Sequence, residues 1–282
     1  MFLEFFKFFL FSIGIVLVSK YLLVTYLRKL ADLISLDAKT TGGIAGIATS
    51  VPELLAVISA TSTGLIDTSI YNILSSNIIN TLQFFFSAIL SKNLKELKNK
   101  IYRTDFILVA MTILIPIILI LTNTHTKFYI IPLFLLLFFV FYKLSQNSYH
   151  HIKAYYHIKD TESGKNLQVT FSKTQKNKKV VFYLTVLGLA AILLYILGNL
   201  LGTSLENLFT HFRIPELILG IALGFITSLP ELITFFEAQK HHNQSVQTKH
   251  LGLIEANNNL LSSNILNLFM IQTVGILIYL IV

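Results

Sequence analysis

Three stretches of this chain, residues 128–142, 180–201 and 265–282, run for nearly the width of a bilayer with almost no charge. A membrane-crossing helix needs roughly 20 apolar residues, and in lipid each backbone polar group must be bonded inside the protein. Runs of this length and number, in a chain that is 54% hydrophobic and 13% charged, predict an all-α polytopic membrane protein with no soluble domain. About eight apolar segments follow one another, at roughly 5–27, 40–63, 66–91, 104–122, 127–143, 180–205, 213–238 and 251–281. The first is too long for a signal peptide's apolar region and lacks a small-residue cleavage site, so it reads as a span.

The gaps between segments sort by charge. Arg28, Lys29 and Lys39 follow the first span, Lys92 to Arg103 the third, Lys143 to Lys179 the fifth, and Lys240 and Lys249 the seventh. The alternate gaps hold only Lys127 and Arg213. Basic loops stay cytoplasmic, which puts both termini outside; the plasma (inner) membrane is the expected location. The same clustering explains the net charge of +8 without nucleic acid. With no cysteine there is neither a disulfide framework nor a thiolate metal site.

Residues 144–179 are the one sizeable polar insert, expected as a basic cytoplasmic linker beside anionic headgroups. Its His150, His151 and His157 could be imagined as a metal cluster, as could His241 and His242, but a solvated basic loop accounts for them. The insert separates a first unit, 1–143 with about five spans, from a second, 180–282 with about three. The two repeat each other: "ATSVPELLAVISA" against "ITSLPELITFFEA", and "NILSSNIINT" against "NLLSSNILNL". An odd number of spans in the first unit makes the second enter from the opposite side. This is an inverted-topology repeat, an arrangement typical of secondary transporters.

Each repeat places a glutamate in apolar surroundings. A carboxylate at a span's centre costs about 2.5–3.5 kcal/mol on insertion scales. Glu53 lies near the middle of its segment; Glu231, by counting, lies nearer the cytoplasmic end. Beside each stands a proline that removes a helical hydrogen bond, Pro52 from the carbonyl of Ala48 and Pro230 from that of Ile226. Oxygens around Thr49 and Thr227 thereby become available. Ser50 and Glu53 share a helix face, as do Ser228 and Glu231. The following helices carry polar stripes, Asn72, Ser76 and Asn80 in one and Asn259, Ser263 and Asn267 in the other. Asn77 and Asn264, off the stripes, are open to reading as interhelical glue or as ligands. Carboxylates, hydroxyls and amides are hard ligands, suited to Ca²⁺ with about 6–8 oxygens or to Na⁺. Each Pro-Glu pair then forms half of a midplane ion cage.

In these motifs the chain resembles the cation/calcium exchanger superfamily, most closely prokaryotic sodium/calcium exchangers. That family repeats Gly-Thr-Ser-Leu-Pro-Glu and Gly-Ser-Asn-Ile, read here as "ATSVPE" with "SSNIIN" and "ITSLPE" with "SSNILN". The resemblance implies an antiporter that moves Ca²⁺ in exchange for Na⁺ by alternating access, the first and sixth spans sliding over the core. It implies Ca²⁺ at Glu53 and Glu231 with oxygens of Thr49 and Thr227. Sodium sites would be lined by Ser50, Ser76, Ser228 and Ser263, with Asn80 and Asn267 at the centre. The transported ions are substrates, and no cofactor is implied.

The motif glycines are replaced by Ala48, Ile226, Ser75 and Ser262. Many family members carry aspartate where Asn267 stands, so potassium dependence is not expected. Family repeats have five spans each, so the second is short of its last two. A partner membrane chain supplying them is one expectation. Ca²⁺/H⁺ exchange and a non-transporting exchanger-like subunit are the alternatives. An enzyme is not expected, because no nucleophile–base pair or phosphate loop is present.

Overall fold

The computed structural model of the chain describes residues 2–33, 36, 38–156, 173–241 and 249–282, and those residues form eight helical spans. The first span joins α1 (Phe2–Val18), a π-helical turn at Ser19–Val24 and α2 (Thr25–Leu33). The second is a broken helix, α3 (Ala38–Thr49) and α4 (Val51–Ser62), and the third is the continuous α5 (Ile66–Leu90). A short α6 (Leu94–Leu97) leads to α7 (Arg103–Leu121) and α8 (Ile130–Tyr155), spans four and five. Span six is α9 (Lys173–Phe212), and span seven is broken like the second, into α10 (Glu216–Thr227) and α11 (Leu229–His241). The eighth runs through α12 (Lys249–Ile265), a π-helical turn at Leu266–Ile271 and α13 (Gln272–Ile281).

The expected spans are all present, with shifted ends. The fifth was expected to end at residue 143 and instead continues as helix to Tyr155. Ser148, Tyr149 and Ile152 are buried at helical spacing there, and Lys39 from α3 covers the Tyr149 ring and bonds Gln146. A polar stretch with one packed stripe is a helix, which overall polarity conceals. Of the expected linker 144–179, residues 157–172 lie outside the described set, His157 among them, as does His242. His150 and His151 are exposed on α8.

The breaks have a local cause. Ser50 stands at the start of α4 with Pro52 in its first turn, and Ser228 occupies the matching place before Pro230 of α11. Thr49 and Ser50 both turn their hydroxyls back onto the Gly46 carbonyl, at 3.2 and 2.9 Å, an arrangement that bends helices. Each glutamate therefore begins a helix, where the positive end of the helix dipole favours its negative charge.

The two repeats are interleaved. α3 packs on α12 of the other repeat, and α10 packs on α5. Paired glycines one turn apart make both contacts close. A Cβ at Gly42 would lie 2.4 Å from the Glu255 carbonyl oxygen, and one at Gly46 would lie 2.7 Å from that of Asn259. Gly220 and Gly224 repeat this against Thr68 and Asn72 of α5, at 2.7 and 2.8 Å. Each motif helix is thus pressed against the polar stripe of the opposite repeat.

Outside this four-helix centre, α7 and α8 cover one side, and Phe134 and Phe141 pack edge-on against Phe269 of the eighth span. Spans one and six lie together across the other side, meeting the centre through Leu194, Leu201, Leu205, Leu219 and Leu223. Their outer faces, Phe6, Leu10 and Ile13 on α1 and Leu189, Ile192 and Tyr195 on α9, are exposed and apolar, as a lipid-facing surface must be.

Candidate cation site

All ten residues singled out by sequence, Thr49, Ser50, Glu53, Ser76, Asn80, Thr227, Ser228, Glu231, Ser263 and Asn267, are buried where the four central helices meet. Both glutamates are fully inaccessible, Glu231 as completely as Glu53.

The contacts cross between repeats. Thr227 and Ser76 stand beside Glu53, and Thr49 and Ser263 beside Glu231. The Ser76 and Thr227 hydroxyls are 3.4 Å apart. On the other side Ser50 Oγ lies 3.0 Å from Ser263 Oγ, which donates to Glu231 Oε1 at 3.2 Å and receives Asn80 Nδ2 at 3.3 Å. Thr234 Oγ1 receives Asn259 Nδ2 at 2.6 Å.

Donors run out before acceptors do. The two hydroxyl protons of Ser50 and Ser263 must serve the Gly46 carbonyl, Glu231 Oε1 and their own contact. Among the described residues both oxygens of Glu53, Oε2 of Glu231, Oγ of Ser228, and Oδ1 of Asn80, Asn259 and Asn267 make no close hydrogen bond, although the Thr227 and Ser76 hydroxyls stand beside Glu53; Asn72 is unbonded at both Oδ1 and Nδ2. A buried oxygen without a partner costs about 1–3 kcal/mol, and a carboxylate oxygen more. So many around two buried carboxylates make this centre rich in unbonded oxygen. No group of three His, Cys, Asp or Glu occurs among the described residues. Two carboxylates plus neutral oxygens instead balance a single divalent ion, or one or two monovalent ones, by hard-ligand chemistry.

Several further polar residues find their partners only in the structure. Asn77 and Asn264 bond across from α5 to α12, joining the repeats. Gln272 is buried and accepts Ser69 Oγ at 2.8 Å, but lies outside any matched motif. Glu255 is buried two turns into α12, because that helix packs on α3. Glu216 is not simply solvated: its Oε2 receives Thr68 N at 2.7 Å and Thr68 Oγ1 at 3.2 Å, closing the start of α5. Asp67 is bridged by His125 Nε2 at 2.6 Å. Near the α7 start, Asp105 Oδ2 receives Asn257 Nδ2 at 2.5 Å, a buried pair that no sequence signal marks.

Comparison with known proteins adds one match. The family model described as sodium/calcium exchanger protein matches residues 5–145 and 182–281, most of the chain and both sides of the insert. Searches of curated proteins and of solved structures returned no match.

Proposed function

The chain belongs to the sodium/calcium exchanger family, and on that premise we propose that it is a secondary antiporter exporting Ca²⁺ against Na⁺. The family is one of membrane transporters, and eight apolar helices make the chain an integral membrane protein. The single observation that carries the finer reading is the donor deficit around Glu53 and Glu231. Ca²⁺ sits between the two carboxylates, with oxygens of Thr49 and Thr227 completing its shell. Na⁺ occupies flanking positions among Ser50, Ser76, Ser228 and Ser263, with Asn80 and Asn267 between them. The sites share both glutamates, so the two ions exclude one another.

Coupling follows from charge. With neither ion bound, two carboxylates would have to cross a low-dielectric barrier unpaired, at a cost of several kcal/mol each. Neutralised by one Ca²⁺ or by Na⁺, the centre can change the side to which it opens. Spans one and six are the proposed moving element: they cover the centre along α4 and α10 through largely apolar contacts, with one buried hydrogen bond from Ser59 Oγ to the Gly198 carbonyl at 2.7 Å. The basic loops face the cytoplasm, and the plasma (inner) membrane is the location proposed.

The test is radioactive calcium uptake into Na⁺-loaded proteoliposomes, comparing wild type with Glu53→Gln and Glu231→Gln. Uptake that needs an outward Na⁺ gradient and disappears in both variants is the expected result. Uptake that follows a proton gradient and ignores Na⁺ assigns the protein to Ca²⁺/H⁺ exchange instead.

A further inference from the structure

Asn77 and Asn264 lie outside the stripes that line the site, yet both are fully buried and face each other across the repeat interface. Their bonds come in matched pairs. Asn77 Nδ2 donates to the Asn264 backbone carbonyl at 3.4 Å, and Asn264 Nδ2 donates to that of Asn77 at 3.3 Å. Asn77 Oδ1 then accepts Asn267 Nδ2 at 3.3 Å, and Asn264 Oδ1 accepts Asn80 Nδ2 at 3.3 Å. Asn77 Nδ2 has a further acceptor in the Thr112 carbonyl at 3.2 Å.

The polarity of this array is dictated by chemistry. A backbone carbonyl can only accept, so the carboxamide facing it must present its NH₂. The oxygens of Asn77 and Asn264 must therefore point the other way, toward Asn267 and Asn80. Those two residues can answer only with their own NH₂ groups. Their oxygens are left as the free ends, and neither Oδ1 has a donor among the described residues. Reversing either ligand amide would set oxygen against oxygen.

From this we infer that Asn77 and Asn264 are positioning residues, which hold the carboxamides of Asn80 and Asn267 so that oxygen, never NH₂, is presented to a cation. The inference rests on the cation-site reading given above. The coupling is crossed: Asn77, on α5, fixes Asn267 of the eighth span, and Asn264, on α12, fixes Asn80 of α5. One clasp thus tunes both repeats' amide ligands and ties their separation to the geometry of the site. A merely adhesive pair would contribute to stability without selecting which amides matter.

Double-mutant cycles separate the two roles. The half-saturating Ca²⁺ concentration and the maximal rate of Na⁺-driven uptake are measured for Asn77→Ala, Asn267→Ala and their double variant. The same is done for Asn264→Ala with Asn80→Ala, and for Asn77→Ala with Ser228→Ala, a buried site residue that shares no hydrogen-bond partner with Asn77. Ca²⁺-dependent thermal stabilisation of the purified protein supplies binding independently of transport. Within a crossed pair, each single change should raise the half-saturating Ca²⁺ concentration about tenfold, and the double change should add little more, as expected for partners in one hydrogen-bond network. The combination of Asn77→Ala with Ser228→Ala should instead show the product of its two single effects.

Multiplicative effects in every combination would overturn the inference. So would variants of Asn77 and Asn264 that lose only melting temperature and keep wild-type Ca²⁺ affinity, or that yield no folded protein while Asn80→Ala and Asn267→Ala do. A wild type that neither transports nor is stabilised by Ca²⁺ would instead remove the cation-site reading itself.

Discussion

Gly220→Ala adds one methyl group where the structure has no room for it. The new Cβ would lie 2.5 Å from Tyr71 Cβ, 2.7 Å from the Thr68 carbonyl oxygen and 3.0 Å from Asn72 N, against ordinary contact from 3.4 Å upward. None of the three is the end of a flexible side chain, so α10 must retreat from α5 by roughly an ångström in a region packed to crystal-like density. Such overpacking costs about 1–3 kcal/mol, and three rigid contacts place it toward the upper end. Alanine returns up to about 1 kcal/mol through its better helix propensity. The net loss is about 1–2 kcal/mol, or a fall in apparent melting temperature of about 2–8 °C at roughly 2–4 °C per kcal/mol. Gly188→Ala is the matched control: it is also inside a membrane helix, with nothing within 4 Å of the added atom. It should leave the melting temperature unchanged or raise it slightly. Thermal unfolding of the detergent-purified variants, followed by circular dichroism, measures both. If Gly220→Ala melts with or above Gly188→Ala, the close packing of each motif helix on the opposite stripe is refuted.

Glu53→Gln removes a carboxylate whose oxygens make no close hydrogen bond. It should raise the melting temperature in calcium-free buffer while abolishing Ca²⁺-induced stabilisation; retained Ca²⁺ stabilisation would count against the cage. Ser263→Ala deletes the hydroxyl shared by Ser50, Glu231 and Asn80. The half-saturating Na⁺ concentration for Ca²⁺ release from proteoliposomes should rise about tenfold, an amount that a buried bond to a charged group supports. Glu216→Ala uncaps α5 at Thr68 and should cost about 1 kcal/mol in unfolding experiments while leaving Ca²⁺ affinity unchanged.

How much of this was legible in the sequence depended on distance along the chain. Apolar runs gave the eight spans, and the doubled Pro-Glu motif gave the breaks, because both are local consequences of bilayer thickness and a missing N–H. The ten candidate residues could be picked out for the same reason, since motif register puts them at helical spacing within their segments, and the structure buries all ten. The crossing of contacts could not: that Thr227 serves Glu53 and Thr49 serves Glu231 depends on which helix each glycine pair packs against. The burial of Glu255 was not legible because linear counting ignores where a neighbouring helix lies. The extension of α8 to Tyr155 was hidden by its polar outer face, although Ser148, Tyr149 and Ile152 carry the buried stripe. For Asn77 and Asn264 the sequence left two roles open. Only the backbone carbonyl that each faces decides between them.

The most direct test of the central claim is equilibrium binding of Ca²⁺ to the purified protein, titrated with and without Na⁺, in wild type and in the Glu53→Gln/Glu231→Gln double variant. The account predicts one Ca²⁺ per chain, competed away by Na⁺ and lost entirely in the double variant. Undiminished Ca²⁺ binding after both carboxylates are gone, or Ca²⁺ binding indifferent to Na⁺, would contradict it.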